Sequence, residues 1–413
     1  MVSTALAAAE AALRHNVRQL TPGGPGSLES ALEAVAGSAP TALHAPDAAG
    51  EAVAVEGLEP GQARALERAI QAEGGRAVTA PDGRRAVLLG PRDSLLAVAS
   101  RLGGGGPLNQ DLAGALAGAL TSGGPRARLR CGDRLLELGA RTLVMGIVNA
   151  TPDSFSGDGL AGDVGAAVAL AERMVADGAD LIDVGGESTR PGSAPVDAPT
   201  ERLRVVPVVE ALAGRLPVPI SVDTRKAEVA RAAVAAGATM VNDIWGLRGD
   251  PQMAPVLAAH PDVALVAMHN RRGHAYSDLV AEVARDLRES LVVAARHGIE
   301  AERVVVDPGF GFGKTPAHNL ELMQRLAELR GLGRPLILGA SRKSTIGLLL
   351  DGAPPEMRVE GTLALCVLAV AAGAEMVRVH DVAAIHRGLR VADAVLREIP
   401  ETVRRAPSPG PTG

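Results

Sequence analysis

Eight short apolar runs, spaced by longer segments of helical period, recur between Leu143 and Val382: LVMGIVNA (143–150), LIDVGG (181–186), PISVDT (219–224), MVNDI (240–244), ALVAMHN (264–270), VVVDPG (304–309), PLILGAS (335–341) and MVRVHDV (376–382). Continuous rather than alternating apolarity is what parallel strands covered on both faces require. The spacers hold crossover helices. VGAAVALAERMVADGAD (164–180) carries apolar residues at 164, 168, 171 and 175 and closes on Gly178, and RKAEVARAAVAAGAT (225–239) behaves alike. Eight such units in about 250 residues, with no break at which strand order could reverse, predict an α/β fold: a (β/α)8 TIM barrel over residues 125–400, in preference to an open doubly wound sheet.

The first 124 residues read differently. AVAVEG (52–57), PGQARALERAIQAEGG (60–75), RAVTA (76–80), AVLLG (86–90) and PRDSLLAVASRL (91–102) spell a small α+β module of βαββα order, with Asp93 or Ser94 near a helix start. TSGGP (121–125) makes a hinge, so the module is expected to fold apart from the barrel. RLRCGDRLLELG (128–139) reads as a hairpin turning at Gly132-Asp133 and plugging the barrel floor. Residues 401–413, ending in APSPGPTG, are expected to form a disordered tail.

Composition narrows the partners. A chain of 413 residues, 47% apolar, buries a large core, and its 42 basic and 47 acidic residues form no basic block of the kind that tracks nucleic acid. Two cysteines, Cys131 and Cys366, without metal-ligand spacing suit free thiols in a reducing cytosol. The start lacks a basic segment followed by an apolar one, and the longest apolar stretch, Leu363 to Ala372, is too short to span a bilayer. A cytoplasmic protein without nucleic-acid or membrane partners is expected.

Each run is apolar until its end, where polar residues stand: Asn149, Asp183, Asp223, Asn242, His269 with Asn270, Asp307, Ser341, and Arg378 with His380. One such residue alone commonly caps the next helix. A polar end on all eight runs points instead to one mouth, because barrel active sites lie on the C-terminal rim. The aspartates and asparagines there suit a flat, nitrogen-rich heterocycle. GASRKSTIG (339–347) sets Ser341, Arg342, Lys343 and Ser344 at a helix start in the region where barrels bind phosphate. No His-x-x-x-His or Cys-x-x-Cys pair accompanies the aspartates, so a magnesium ion carried on a phosphate fits better than a protein-held transition metal.

VVVDPGFGFGKTPAHN (304–319) resembles a phosphate loop but is not one, since Pro308 stands where G-x-x-x-x-G-K-[ST] needs its first glycine. Together with VMGIVNATPDSF, DVGGESTRPGS, SVDT, VNDI, GASRKSTIG and RVHDV, in this order over about residues 128–400, it resembles dihydropteroate synthase of folate biosynthesis. That family, a transferase, makes 7,8-dihydropteroate and pyrophosphate from 6-hydroxymethyl-7,8-dihydropterin pyrophosphate and 4-aminobenzoate with Mg2+. The resemblance implies that Asp223, Asn242, Asp307 and Lys343 hold the pterin, with Met268 and Phe312 against its ring. It puts Asn149, Arg378 and His380 on the pyrophosphate and its magnesium, with Asn149 as metal ligand, and Ser344 at the aminobenzoate carboxylate. Thr189, Arg190 and Pro191 belong by the same resemblance to one mobile loop and Pro152–Gly159 to another. Asn149, Asp223, Asp307, Lys343, Arg378 and His380 are the implied catalytic set, and a homodimer is expected.

Two segments depart from the family pattern. Gly157-Asp158-Gly159 replaces D-G-G, which leaves Asp153 or Asp158 to approach the magnesium, and MHNRRG replaces M-H-M-x-G, which leaves His269 and Asn270 without an assigned part. Shorter family members lack the N-terminal module. Two other readings are a methyltetrahydrofolate-dependent corrinoid methyltransferase, whose substrate has no pyrophosphate, and a non-enzymatic pterin-binding paralogue, which would be expected to have lost part of the rim.

Overall fold

The computed structural model describes residues 2–20, 28, 31–32, 35, 51–104, 107–121, 128–150, 164–187, 195–399 and 401–404. The N-terminal part comprises α1 (Val2–His15), β1 (Arg18–Leu20), β2 (Glu51–Val55), α2 (Gln62–Ala72), β3 (Arg76–Thr79), β4 (Ala86–Gly90), α3 (Arg92–Gly103) and α4 (Pro107–Thr121). The predicted βαββα order is the stretch from β2 to α3. β1 extends its antiparallel sheet to the order β1-β2-β4-β3, and Leu66, Ile70, Leu95, Val98, Leu112 and Leu116 fill the core between sheet and helices. The hairpin β5 (Arg128–Cys131) and β6 (Arg134–Glu137) follows, turning at the two predicted residues.

Eight parallel strands then form the barrel: β7 (Leu143–Asn149), β8 (Leu181–Gly185), β9 (Ile220–Asp223), β10 (Met240–Asp243), β11 (Ala264–Met268), β12 (Val304–Asp307), β13 (Ile337–Leu338) and β14 (Met376–Val379). A parallel bridge between Val306 and Leu336 closes the circuit between β12 and the approach to β13. Crossover helices α5 (Val164–Ala176), α6 (Ala198–Ala213), α7 (Ala227–Ala235), α8 (Met253–Ala258), α9 (Leu279–Arg296), α10 (Pro316–Gln324), α11 (Ser344–Leu349), α12 (Val359–Ala371) and α13 (Val382–Leu396) cover the outside. The first six residues of β7 are all buried, which is why its sequence shows no alternation. At the floor, Leu129, Cys131 and Leu138 join Met145, Leu181, Met240, Val266 and Met376 in one apolar cluster, and the Gly132 N–H bonds to the Asp262 carbonyl, so the hairpin plugs the barrel as expected.

The N-terminal part is docked on the barrel through buried ion pairs. Arg18, 2% exposed, donates to Glu328 at 2.6 Å and reaches Asp278 at 3.5 Å. Arg325 pairs with the same two carboxylates at 2.8 and 3.1 Å. Arg288 of α9 enters the α1–β1 corner, donating to Asn16 Oδ1 and, at 2.5 Å, to the Val17 carbonyl. Removing one partner from a buried ionic cluster costs about 3–5 kcal/mol, so this junction is a built interface. Residues Glu401–Arg404 form a helical turn where the disordered tail was expected to begin, and 405–413 lie outside the described residues, as do Ser122–Pro125.

Candidate active site

The strand ends converge on a cavity of about 310 Å3 at the C-terminal mouth. Asn149, Asp223, Asn242, Met268, Asp307, Phe312, Lys343, Ser344, Arg378 and His380 all border it, each delivered by the strand end or loop that the sequence indicated. Thr189, Arg190, Pro191, Asp153 and Asp158 lie outside the described residues. Among the described residues, those that line it come from the barrel.

On the floor of this cavity, Arg378 bridges two strands. Its Nε donates to Asp183 at 2.6 Å and its Nη2 to Asp223 at 2.7 Å, while Asn242 donates to the same Asp183 oxygen at 3.0 Å. Asp183, fully buried, is therefore the residue that locks the ends of β8, β10 and β14 together, a part its place among the polar strand ends did not reveal. Burial pushes the Asp223 carboxyl up to about 7 against the pull of Arg378, and Asp183 adds to the push. Burial likewise raises Asp307, whose Oδ1 accepts the Gly309 N–H at 2.7 Å.

The DPGFGFGK stretch is a compact loop. Gly309 (φ 69°) and Gly311 (φ 83°) take left-handed conformations, and a Cβ on Gly311 would lie 2.7 Å from Lys343 Cδ. That space lets Lys343 cross the loop, donate to the Phe310 carbonyl at 2.5 Å and stand 4.0 Å above the Phe312 ring. Burial pushes the Lys343 ammonium down to about 7 despite Asp307 nearby. Lys314, the loop's own lysine, turns inward instead: Nζ contacts His269 Nδ1 at 2.9 Å and the carbonyls of Gly309 and Phe312 at 3.1 Å each. His269 Nε2 meets Asp286 at 3.1 Å, so His269 braces the loop from behind, and Asn270 offers its carbonyl to Arg248.

Across the mouth, Ser341 Oγ accepts the His380 backbone N–H at 3.1 Å and lies 2.9 Å from His380 Nδ1. Arg342 holds a left-handed φ of 56°, kept there by its paired bonds to Asp381. This bend turns the chain so that Lys343 and Ser344 face the cavity. Glu187 and Arg358 also line it and were not singled out by the sequence; Glu187 is held by Lys226 at 2.6 Å, and Arg358 donates to the Arg342 carbonyl at 2.8 Å. Among the described residues no cluster of three or more His, Cys, Asp or Glu side chains could hold a metal ion.

The mouth thus offers paired acceptors and donors for a heterocycle beside cations for an anion, in one space. The family described as pterin binding enzyme matches residues 145–380. Dihydropteroate synthase of Bacillus subtilis is 48% identical over 258 residues, covering 62% of this chain and 90% of its own length. That of Escherichia coli K12 is 45% identical over 258 residues, covering 61% and 91%. Among solved structures, Xanthomonas albilineans dihydropteroate synthase with 4-aminobenzoic acid superposes with a TM-score of 0.64 at 48% identity, over 67% of this chain and all of that one. The same enzyme in complex with 7,8-dihydropteroate gives 0.59 at 45%, over 66% and 99%. With the family's span coinciding with the strands that build this mouth, the chain belongs to the pterin binding enzymes.

Proposed function

We infer that the chain is a dihydropteroate synthase, joining 6-hydroxymethyl-7,8-dihydropterin pyrophosphate to 4-aminobenzoate with release of pyrophosphate. The observation that carries this reading is the meeting, in a single cavity, of Asp223, Asn242 and Asp307 with Lys343, Arg378 and His380. A methyl-transferring pterin barrel has no use for the second set, because its substrate bears no pyrophosphate.

Asp307 accepts from the pterin ring N–H and 2-amino groups, Asn242 pairs with the ring edge, and Met268 and Phe312 cover its faces. Two nitrogens of Arg378 are committed to Asp183 and Asp223, and Nη1 is left for a phosphate oxygen. Lys343, Arg378 and His380 meet the negative charge that accumulates as the methylene C–O bond breaks and pyrophosphate departs. The aromatic amine then attacks the pterin cation, forming the C–N bond and losing a proton. Ser344, exposed at the lip, receives the aminobenzoate carboxylate at the start of α11.

Magnesium fits this mouth as a passenger on the pyrophosphate. Asn149 presents a hard oxygen at the lining of the cavity. An ion that keeps most of its waters needs few protein ligands of this kind. When bound, it neutralises charge on the leaving group.

A homodimer in the cytoplasm completes the proposal. Leu348, Leu349, Leu368, Val391 and Val395 are all more than half exposed on α11, α12 and α13, an apolar face that a second copy would cover. No helix of the described residues is long and apolar enough to cross a membrane. Sedimentation decides the dimer: a monomer at micromolar concentration refutes it. For the reaction, purified protein should release pyrophosphate only with pterin pyrophosphate, 4-aminobenzoate and magnesium all present. Methyl transfer from methyltetrahydrofolate without pyrophosphate release would overturn the reading.

A further inference from the structure

We propose that the N-terminal module, although none of its described residues lines the cavity, sets the position of the pterin-binding loop, with Arg18 as the positioning residue. The proposal rests on the synthase reading above for its kinetic test but not for its structural one.

The path is short. Arg18 and Arg325 flank Asp278, the N-cap of α9, whose carboxylate accepts the Ala281 N–H at 3.1 Å. Burial alone would raise the Asp278 carboxyl, but the two guanidinium groups outweigh it and hold the carboxyl below the usual aspartate range. Two residues before this anchored cap stands Tyr276, whose hydroxyl donates to the Gly313 carbonyl at 2.8 Å. Gly313 follows Phe312, which borders the cavity and carries Lys343 over its ring. Tyr276 is itself boxed in, by the Arg271 guanidinium 4.4 Å above its ring and by the edge of His318 at 5.2 Å. An arginine of the module therefore fixes a helix cap, the cap fixes Tyr276, and Tyr276 holds the loop. Without the module, the start of α9 would keep Arg325 but lose the second cation, along with the bonds from Asn16 to Ala281 and from Arg288 to Val17.

Substitutions in the full chain test this. Arg18→Lys keeps a charge for Glu328 but is too short and single-pronged to serve Asp278 as well. It should raise the KM for the pterin pyrophosphate roughly tenfold while leaving that for 4-aminobenzoate unchanged, as expected when a positioning contact is loosened. Tyr276→Phe should raise the same KM, and the double variant should be no worse than the worse single one, since both act on one path. Amide exchange in residues 304–319, which needs no activity, should accelerate in both variants. Arg296→Ala, which breaks only the exposed pair with Glu10, should do neither.

If Arg18→Lys does not fold, Asp278→Asn enters the same cycle under the same criteria. An unchanged pterin KM with unchanged exchange, equal losses for both substrates, or effects of Arg18→Lys and Tyr276→Phe that multiply would each overturn the proposal. A wild-type protein inactive with both substrates would instead refute the synthase reading, and the exchange experiment would still decide this one.

Discussion

Two buried clusters of arginine and carboxylate lie at opposite sides of the loop after β12, and they are balanced in opposite ways. At the junction with the N-terminal module, Asp278 faces both Arg18 and Arg325, and its carboxyl is held low. At the mouth, burial prevails: Asp223 and Asp307 are pushed up and Lys343 is pushed down. The same residue types therefore make a finished joint around Asp278, although burial pushes its neighbour Arg288 down to about 9, and an unfinished site in the other place. Groups driven toward neutrality by burial are stabilised in their charged forms by partners that a ligand can bring, which is why perturbed groups mark functional sites.

The largest expected effect breaks the finished side. Glu328→Ala leaves Arg18 and Arg325 buried with Asp278 as their main shared counter-charge, and should cost about 3–5 kcal/mol in chemical denaturation. A loss no bigger than that of an exposed pair would mean that the joint is decorative. On the unfinished side, Asp307→Ala should cost less stability than Glu328→Ala, through the Gly309 N–H it leaves unpaired, but weaken pterin binding by about 3 kcal/mol, roughly a hundredfold, because ring donors lose their acceptor. Calorimetry showing wild-type affinity would remove Asp307 from the site. Arg378→Ala should come next, weakening pyrophosphate binding about tenfold or more and binding of bare hydroxymethylpterin much less. Equal losses would place Arg378 at the ring.

The smallest effect is on protons. Lys343 titrates near pH 7 in the free mouth, and a bound anion favours its charged form, so pyrophosphate binding at pH 8 should take up a proton that disappears by pH 6. Calorimetry in buffers of different ionisation heat reads this directly, and Lys343→Met should reduce it to the share taken up by Asp223, itself pushed up to about 7. The junction behaves otherwise. A depressed folded value means that the Asp278 contribution is complete above the ordinary aspartate value of 3.8 and is lost only as pH falls below it through the folded value.

The barrel was legible because strands buried on both faces write continuous apolar runs, and all eight appear where those runs stand. Their ends were read too long. β13 keeps two residues of the seven in PLILGAS, since Pro335 lacks an N–H and the chain turns away after Leu338. The rim residues were legible because their types are chemical and their places are strand ends. What could not be read were partnerships across distance. Arg18 meets Glu328 310 positions away and Arg288 meets Asn16 272 away, so a module that reads as tethered by a hinge is in fact docked. Lys314 stands beside the glycines of its loop but faces His269, and the lysine over the Phe312 ring comes from the loop after β13.

The hairpin at the barrel floor turns this protein into a dead-end street. Leu129, Cys131 and Leu138 pack beneath the strands and close the barrel floor, and the cavity stands at the opposite, C-terminal mouth. Asp307 and Asn242 lie at the closed end, each 4% exposed, whereas Ser344 is at the kerb. In the proposed synthase, traffic would then have an order: the pterin held by Asp307 and Asn242 would park first, and the aminobenzoate at Ser344 behind it. Pyrophosphate and the joined product both have to clear the same door before the next cycle begins.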